Sequence, residues 1–101
     1  MNFYSKYFST LNKKFLTYDE LGLNLLVKSL KEVKKNKKKA IIGGNGGSAA
    51  MANHVCVDLT KACNIRSVNF NEADLLTCFA NDYGYENSIK KAVDLIFKAK
   101  F

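Results

Sequence analysis

The feature that most constrains this chain is a block of glycines, Gly43-Gly44-Asn45-Gly46-Gly47, between the apolar run Ala40-Ile41-Ile42 and a stretch from Ser48 to Lys61 without a breaker. Four glycines in five positions argue against a continuing strand or helix, because each costs about 0.5–1 kcal/mol relative to alanine inside either element. The pattern is therefore strand, tight turn, helix. Such a turn lets a ligand approach the backbone, and the first amides of the following helix lack intrahelical partners and carry partial positive charge. The segment reads as an anion site. Ser48, near the helix start, can cap an amide or give its hydroxyl to a phosphate oxygen. The bland alternative is a strand-to-helix turn that merely needs glycine.

Around this turn the chain is mostly helical in pattern. Tyr4, Tyr7, Phe8, Leu11 and Phe15 recur at helical spacing and predict an amphipathic helix over 3–15 with an aromatic stripe, a core face or subunit contact. Thr17 and Glu20 form a capping-box pattern ahead of a second helix over 19–35. A second strand is expected over 65–70 and a short helix over 72–80. Asn81-Asp82-Tyr83-Gly84 punctuates the chain before a last helix over 86–98. The expected fold is α/β: a helical segment over 1–38, then a βαβα unit over 39–101 with a parallel, Rossmann-like sheet. Two strands leave two unpaired edges and little core. The chain is thus expected to be part of a larger α/β domain, or to complete its sheet with another chain.

At 101 residues there is room for one small domain. Sixteen cations against nine anions give +7, but residues 28–39 alone carry seven lysines against Glu32. The excess is one local run with no interleaved aromatic, which fits a solvated helix end and disfavours nucleic acid as a partner. Cys56, Cys63 and Cys78 are odd in number and lack a CxxC spacing, so reduced thiols are expected rather than disulfides or a cysteine zinc site. No apolar run reaches the ~18 residues of a membrane span, and the N-terminus lacks the look of a secretory signal. A soluble, cytoplasmic protein with no membrane partner is expected.

Within the turn, residues 44–49 also satisfy the loose GxGxxG/A dinucleotide fingerprint, for which Glu72 is a distant candidate for the ribose-binding acid. A Walker A loop is excluded because no lysine follows the glycines. His54 and Asp58, at i and i+4, share one helix face and could bind a divalent metal or share proton transfer. An exposed hydrogen-bonded pair is the simpler reading. His54 lies six residues beyond Ser48, ~9 Å along a helix, a separation that suits a phosphate at one end and a reactive carbon at the other.

Gly44-Asn45-Gly46-Gly47-Ser48-Ala49-Ala50, then His54, then Asn81-Asp82-Tyr83-Gly84-Tyr85, together resemble the sugar isomerase (SIS) domain, specifically the phosphoheptose isomerases. The resemblance covers residues 40–85, with the N-terminal part of such a domain as its extent. It implies a tetrameric enzyme with a five-stranded parallel sheet, acting in lipopolysaccharide or surface-sugar synthesis. The implied reaction converts sedoheptulose 7-phosphate to D-glycero-D-manno-heptose 7-phosphate. By position it implies that Asn45, Gly46 and Gly47 contact substrate, that Ser48 lies by the phosphate, and that Asn81 and Asp82 hold sugar hydroxyls. It places His54 at a zinc-ligand position and Asp58 where the family carries a glutamate that is metal ligand and base, making the two residues the candidate catalytic pair. Asp58 is one methylene shorter than that glutamate, a retraction of ~1.5 Å that matters for proton transfer. The family's serine-rich phosphate loop and its later glutamine and histidine are not found within the 101 residues, so the fragment alone is expected to be inactive. A non-catalytic SIS module, similar to the DnaA initiator-associating protein or to sugar-phosphate-sensing regulators, is the alternative.

Overall fold

Helix formation at the N-terminus is set by local caps. The computed structural model describes residues 2–98 of the 101, the Lys98 side chain apart; the chain parts into two compact units between Glu32 and Val33. Met1 and residues 99–101, within the expected domain, lie outside the described residues. Helix α1, Phe3–Leu16, starts where Asn2 Oδ1 accepts the Ser5 amide at 2.9 Å. It ends at Thr17, whose hydroxyl donates to the Lys14 carbonyl at 2.9 Å. Helix α2, Glu20–Lys35, is capped by Asp19, whose Oδ1 accepts the Gly22 amide at 3.0 Å. This corrects the expected Thr17/Glu20 capping box: the Thr17 hydroxyl is already engaged at the end of α1, and the aspartate next to the helix takes over. Neither helix buries a residue.

In the second unit, α2 closes without glycine. The Lys38 amide donates to the Val33 carbonyl at 2.9 Å while Lys37 takes a left-handed conformation, φ 54°. Strand β1, Ala40–Ile41, pairs in parallel with β2, Ser67–Val68, in the register Ala40 to Ser67 and Ile41 to Val68. Helix α3, Gly47–Ala62, joins them and packs on β2. Its Ala52, Cys56 and Leu59, at i, i+4 and i+7, are buried with Ile65, Phe70 and Ala92. Helix α4, Ala73–Tyr83, and helix α5, Ser88–Lys98, pack against each other, joined by a 3₁₀ turn at Tyr85–Asn87. The Phe97 ring meets Phe70 edge-on at 6.4 Å.

The α/β class with a two-strand parallel sheet is as expected; several boundaries are not. The second strand is two residues rather than six, because the Ile65 amide donates to the Leu59 carbonyl at 2.9 Å to finish α3, and β1 offers a pairing edge only two residues long. The expected turn at Asn81 is helical: α4 runs on to Tyr83, held by the Phe79–Tyr83 edge contact at 5.5 Å, and stops at Gly84. Glu86 lies in the 3₁₀ turn, so the last helix begins at Ser88.

Candidate functional site

The glycine block leaves the carboxyl end of β1, the end of a parallel strand at which α/β sheets bind their ligands. Two of its glycines are compelled. A Cβ on Gly44 would lie 2.6 Å from the Ser48 carbonyl carbon and oxygen, and Gly46 sits at φ 55°, ψ −125°, where side-chain-bearing residues are strained. The Asn45 carbonyl accepts the Ser48 and Ala49 amides at 3.0 and 3.3 Å, so the turn folds directly into the first turn of α3. Gly46 is the N-cap and provides no side-chain cap.

Above this turn opens a cleft of about 360 Å³, at the small end of the range for ligand pockets. Gly44, Asn45 and Gly46 form its floor, and Ala49, Ala50 and Asn53 of α3 one wall. Asn71, three residues beyond β2, provides a second wall, and Tyr85, Glu86 and Ser88 close the far side. The polar atoms form two pairs. Tyr85 Oη lies 2.8 Å from Asn45 Oδ1, joining the two sequence motifs across 40 residues. Asn71 Nδ2 donates to Asn53 Oδ1 at 2.9 Å and to the Ala49 carbonyl at 3.3 Å. The side-chain oxygens of Asn45 and Asn53 are thus engaged by the protein, leaving their NH₂ groups for a ligand, while Asn71 spends its NH₂ on protein acceptors and Glu86 adds an acidic residue to the lining.

Of the residues singled out from the sequence, Asn45 and Gly46 line this cleft; Gly47 and Ser48 start α3 beside it and are exposed. His54 and Asp58 are together but elsewhere. His54 Nε2 lies 3.4 Å from Asp58 Oδ1, with the side chains 77% and 63% exposed, and neither lines the cleft. Residues 49, 50 and 53 turn one strip of α3 to the cleft, and 54 and 58 fall on another. Asn81 and Asp82 are on the last turns of α4, where Asn81 Nδ2 donates to Asp82 Oδ1 at 3.3 Å. Asp82 also accepts from the Cys78 thiol at 3.6 Å, and this contact with its negative charge holds the thiol above its ordinary value. Glu72, weighed as a ribose-binding acid, is the N-cap of α4 and lies outside the cleft lining. Its hydrogen bond with Asp74 and that residue's charge raise its carboxyl above the usual range.

Zinc needs at least three protein ligands. Among the described residues no group of three or more His, Cys, Asp or Glu is placed to hold a metal, so His54 and Asp58 by themselves do not fit a zinc site. Sequence reasoning missed Asn53, Asn71, Glu86 and Ser88, and gave Tyr85 no role of its own. The signal for Asn71 was its place just past the carboxyl end of a parallel strand; the other three carried none.

Comparison with known proteins bears on the family. The chain is 32% identical to a phosphoheptose isomerase of Helicobacter pylori strain P12, over 85% of this chain and 53% of that protein. It is 34% identical to the H. pylori strain 26695 enzyme, with the same coverage, and 35% identical to phosphoheptose isomerase 2 of Campylobacter jejuni, over 84% of this chain and 47% of that protein. No family model and no solved structure matches the chain. No helix among the described residues is long and apolar enough to cross a membrane. The chain spans about half the length of these curated relatives, and over that length it is homologous to phosphoheptose isomerases.

Proposed function

We infer that this chain contributes the sugar-phosphate cradle of an aldose–ketose isomerase, with sedoheptulose 7-phosphate as substrate and D-glycero-D-manno-heptose 7-phosphate as product. The observation that carries the reading is the asparagine-lined cleft at the glycine turn, in a chain homologous to phosphoheptose isomerases. The phosphate lies against the turn, with Ser48 beside it, where the Gly46 and Gly47 amides make no hydrogen bond among the described residues; those of Ser48, Ala49 and Ala50 are already taken by the Asn45 and Gly46 carbonyls. Asn81 and Asp82 take sugar hydroxyls in this assignment.

In the reaction a base removes a proton from the carbon beside the carbonyl, the electron pair passes into an enediol, and the proton returns to the neighbouring carbon. Asp58 is the assigned base and His54 the donor to the sugar oxygen. As His54 and Asp58 lie outside the cleft and are two donors only, a zinc at this pair requires a third ligand from elsewhere, and no step is routed through it. The chain alone then binds substrate without turning it over. The working form is a cytoplasmic homotetramer serving surface-sugar synthesis.

Asp58→Asn, in a protein carrying the whole site, is expected to abolish turnover while sugar-phosphate affinity stays within a few fold. Unchanged turnover removes Asp58 from the mechanism. The position of His54 and Asp58 outside the cleft favours one second reading, a non-catalytic sugar-phosphate-binding module of the DnaA initiator-associating kind. Calorimetry with sedoheptulose 7-phosphate, paired with a turnover assay on the complete protein, separates the two: binding without conversion favours the module.

A further inference from the structure

Asn45 is fixed at both ends. Its carbonyl accepts the Ser48 and Ala49 amides of α3, and the far end of its side chain meets the Tyr85 hydroxyl at 2.8 Å. Tyr85 is itself anchored although its side chain is 62% exposed. Its carbonyl accepts from the buried Ser88 hydroxyl at 2.8 Å, and Asn87 ties the same 3₁₀ turn to the Tyr83 carbonyl at 3.0 Å. Asn45 Nδ2 makes no hydrogen bond among the described residues, and Asn45 lines the cleft.

We propose that Tyr85 is a positioning residue: by donating to Asn45 Oδ1 it presents the Asn45 NH₂ to the cleft as a donor for an oxygen-rich anionic ligand. A phenol suits this task because its proton can be given to the amide oxygen, whereas a carboxylate in its place would attract the NH₂ and turn it from the cleft. Holding the amide before the ligand arrives removes part of the ordering cost of binding. The proposal rests on the sugar-phosphate reading for its ligand, while the tyrosine–asparagine contact is independent of it.

The test is a double-mutant cycle on the full chain, with sedoheptulose 7-phosphate and inorganic phosphate as calorimetric probes. Tyr85→Phe is expected to weaken sugar-phosphate binding about three- to tenfold, one neutral hydrogen bond's worth, and to lower the melting temperature by no more than the few degrees that the same bond contributes to the free chain. In an Asn45→Ala background the same substitution is expected to do nothing further. Equal affinity of Tyr85→Phe and the parent, or the same loss in both backgrounds, overturns the positioning role. If the parent binds neither probe, the sugar-phosphate reading fails. In that event the Asn45 side-chain NH₂ resonances of the free chain decide: a shift on Tyr85→Phe supports positioning, and unmoved resonances overturn it.

Discussion

At the residue scale, the turn distinguishes glycines by what surrounds them. A Cβ on Gly44 would meet Ser48 backbone atoms at 2.6 Å, and backbone at the start of a helix cannot yield cheaply. Gly44→Ala is expected to destabilise the chain by about 1–3 kcal/mol in denaturant unfolding. Gly47 has open space around its Cβ position and no positive φ, so Gly47→Ala is expected to stay within about 0.5 kcal/mol of the parent. Equal effects at the two positions would mean that the close approach at Gly44 does not govern the turn. Ser88, 2% exposed, donates to the Tyr85 carbonyl; Ser88→Ala is expected to cost about 1 kcal/mol, measured in the same unfolding experiment.

At the element scale, α4 brings Cys78 and Asp82 together one turn apart, with the thiol donating to the carboxylate. The folded-state value of the thiol is raised, so the contact stabilises the chain below the ordinary thiol range and is lost as pH rises through the raised value. Alkylation of Cys78 by iodoacetamide at pH 8 is expected to speed up several-fold in Asp82→Asn, followed by mass spectrometry of the Cys78 peptide. An unchanged rate would show that the carboxylate does not suppress the thiolate. The same helix shows where sequence reasoning runs out. Asn81, Asp82 and Gly84 look like a turn, yet only Gly84 breaks the helix, because the Phe79–Tyr83 contact carries it through two poor helix formers. The glycine turn was legible because backbone conformation and close approach demand particular residues there. Asn53 was not, since an exposed asparagine in a helix gives no sign of what faces it until Asn71 arrives from beyond the second strand.

At the scale of the whole molecule, exposed apolar surface stands out. Phe3, Tyr4, Tyr7, Phe8 and Phe15 of α1 are each more than half exposed, and α2 adds Leu21, Leu25 and Leu26. Scattered apolar residues are ordinary on a protein surface, but a continuous aromatic stripe is a face that a core or a subunit contact would cover. Sedimentation is expected to show concentration-dependent association of the chain, reduced by a Tyr7→Ser, Phe8→Ser double substitution; a strictly monomeric parent would refute this. The sheet carries a different consequence. A strand only two residues long offers a newcomer a handful of hydrogen bonds, too few to repay the freedom that a separate peptide gives up on docking. A third strand can therefore join β1 or β2 only when a tether supplies it at high local concentration, and the brevity that makes the sheet small also makes it a poor seed for fibrils.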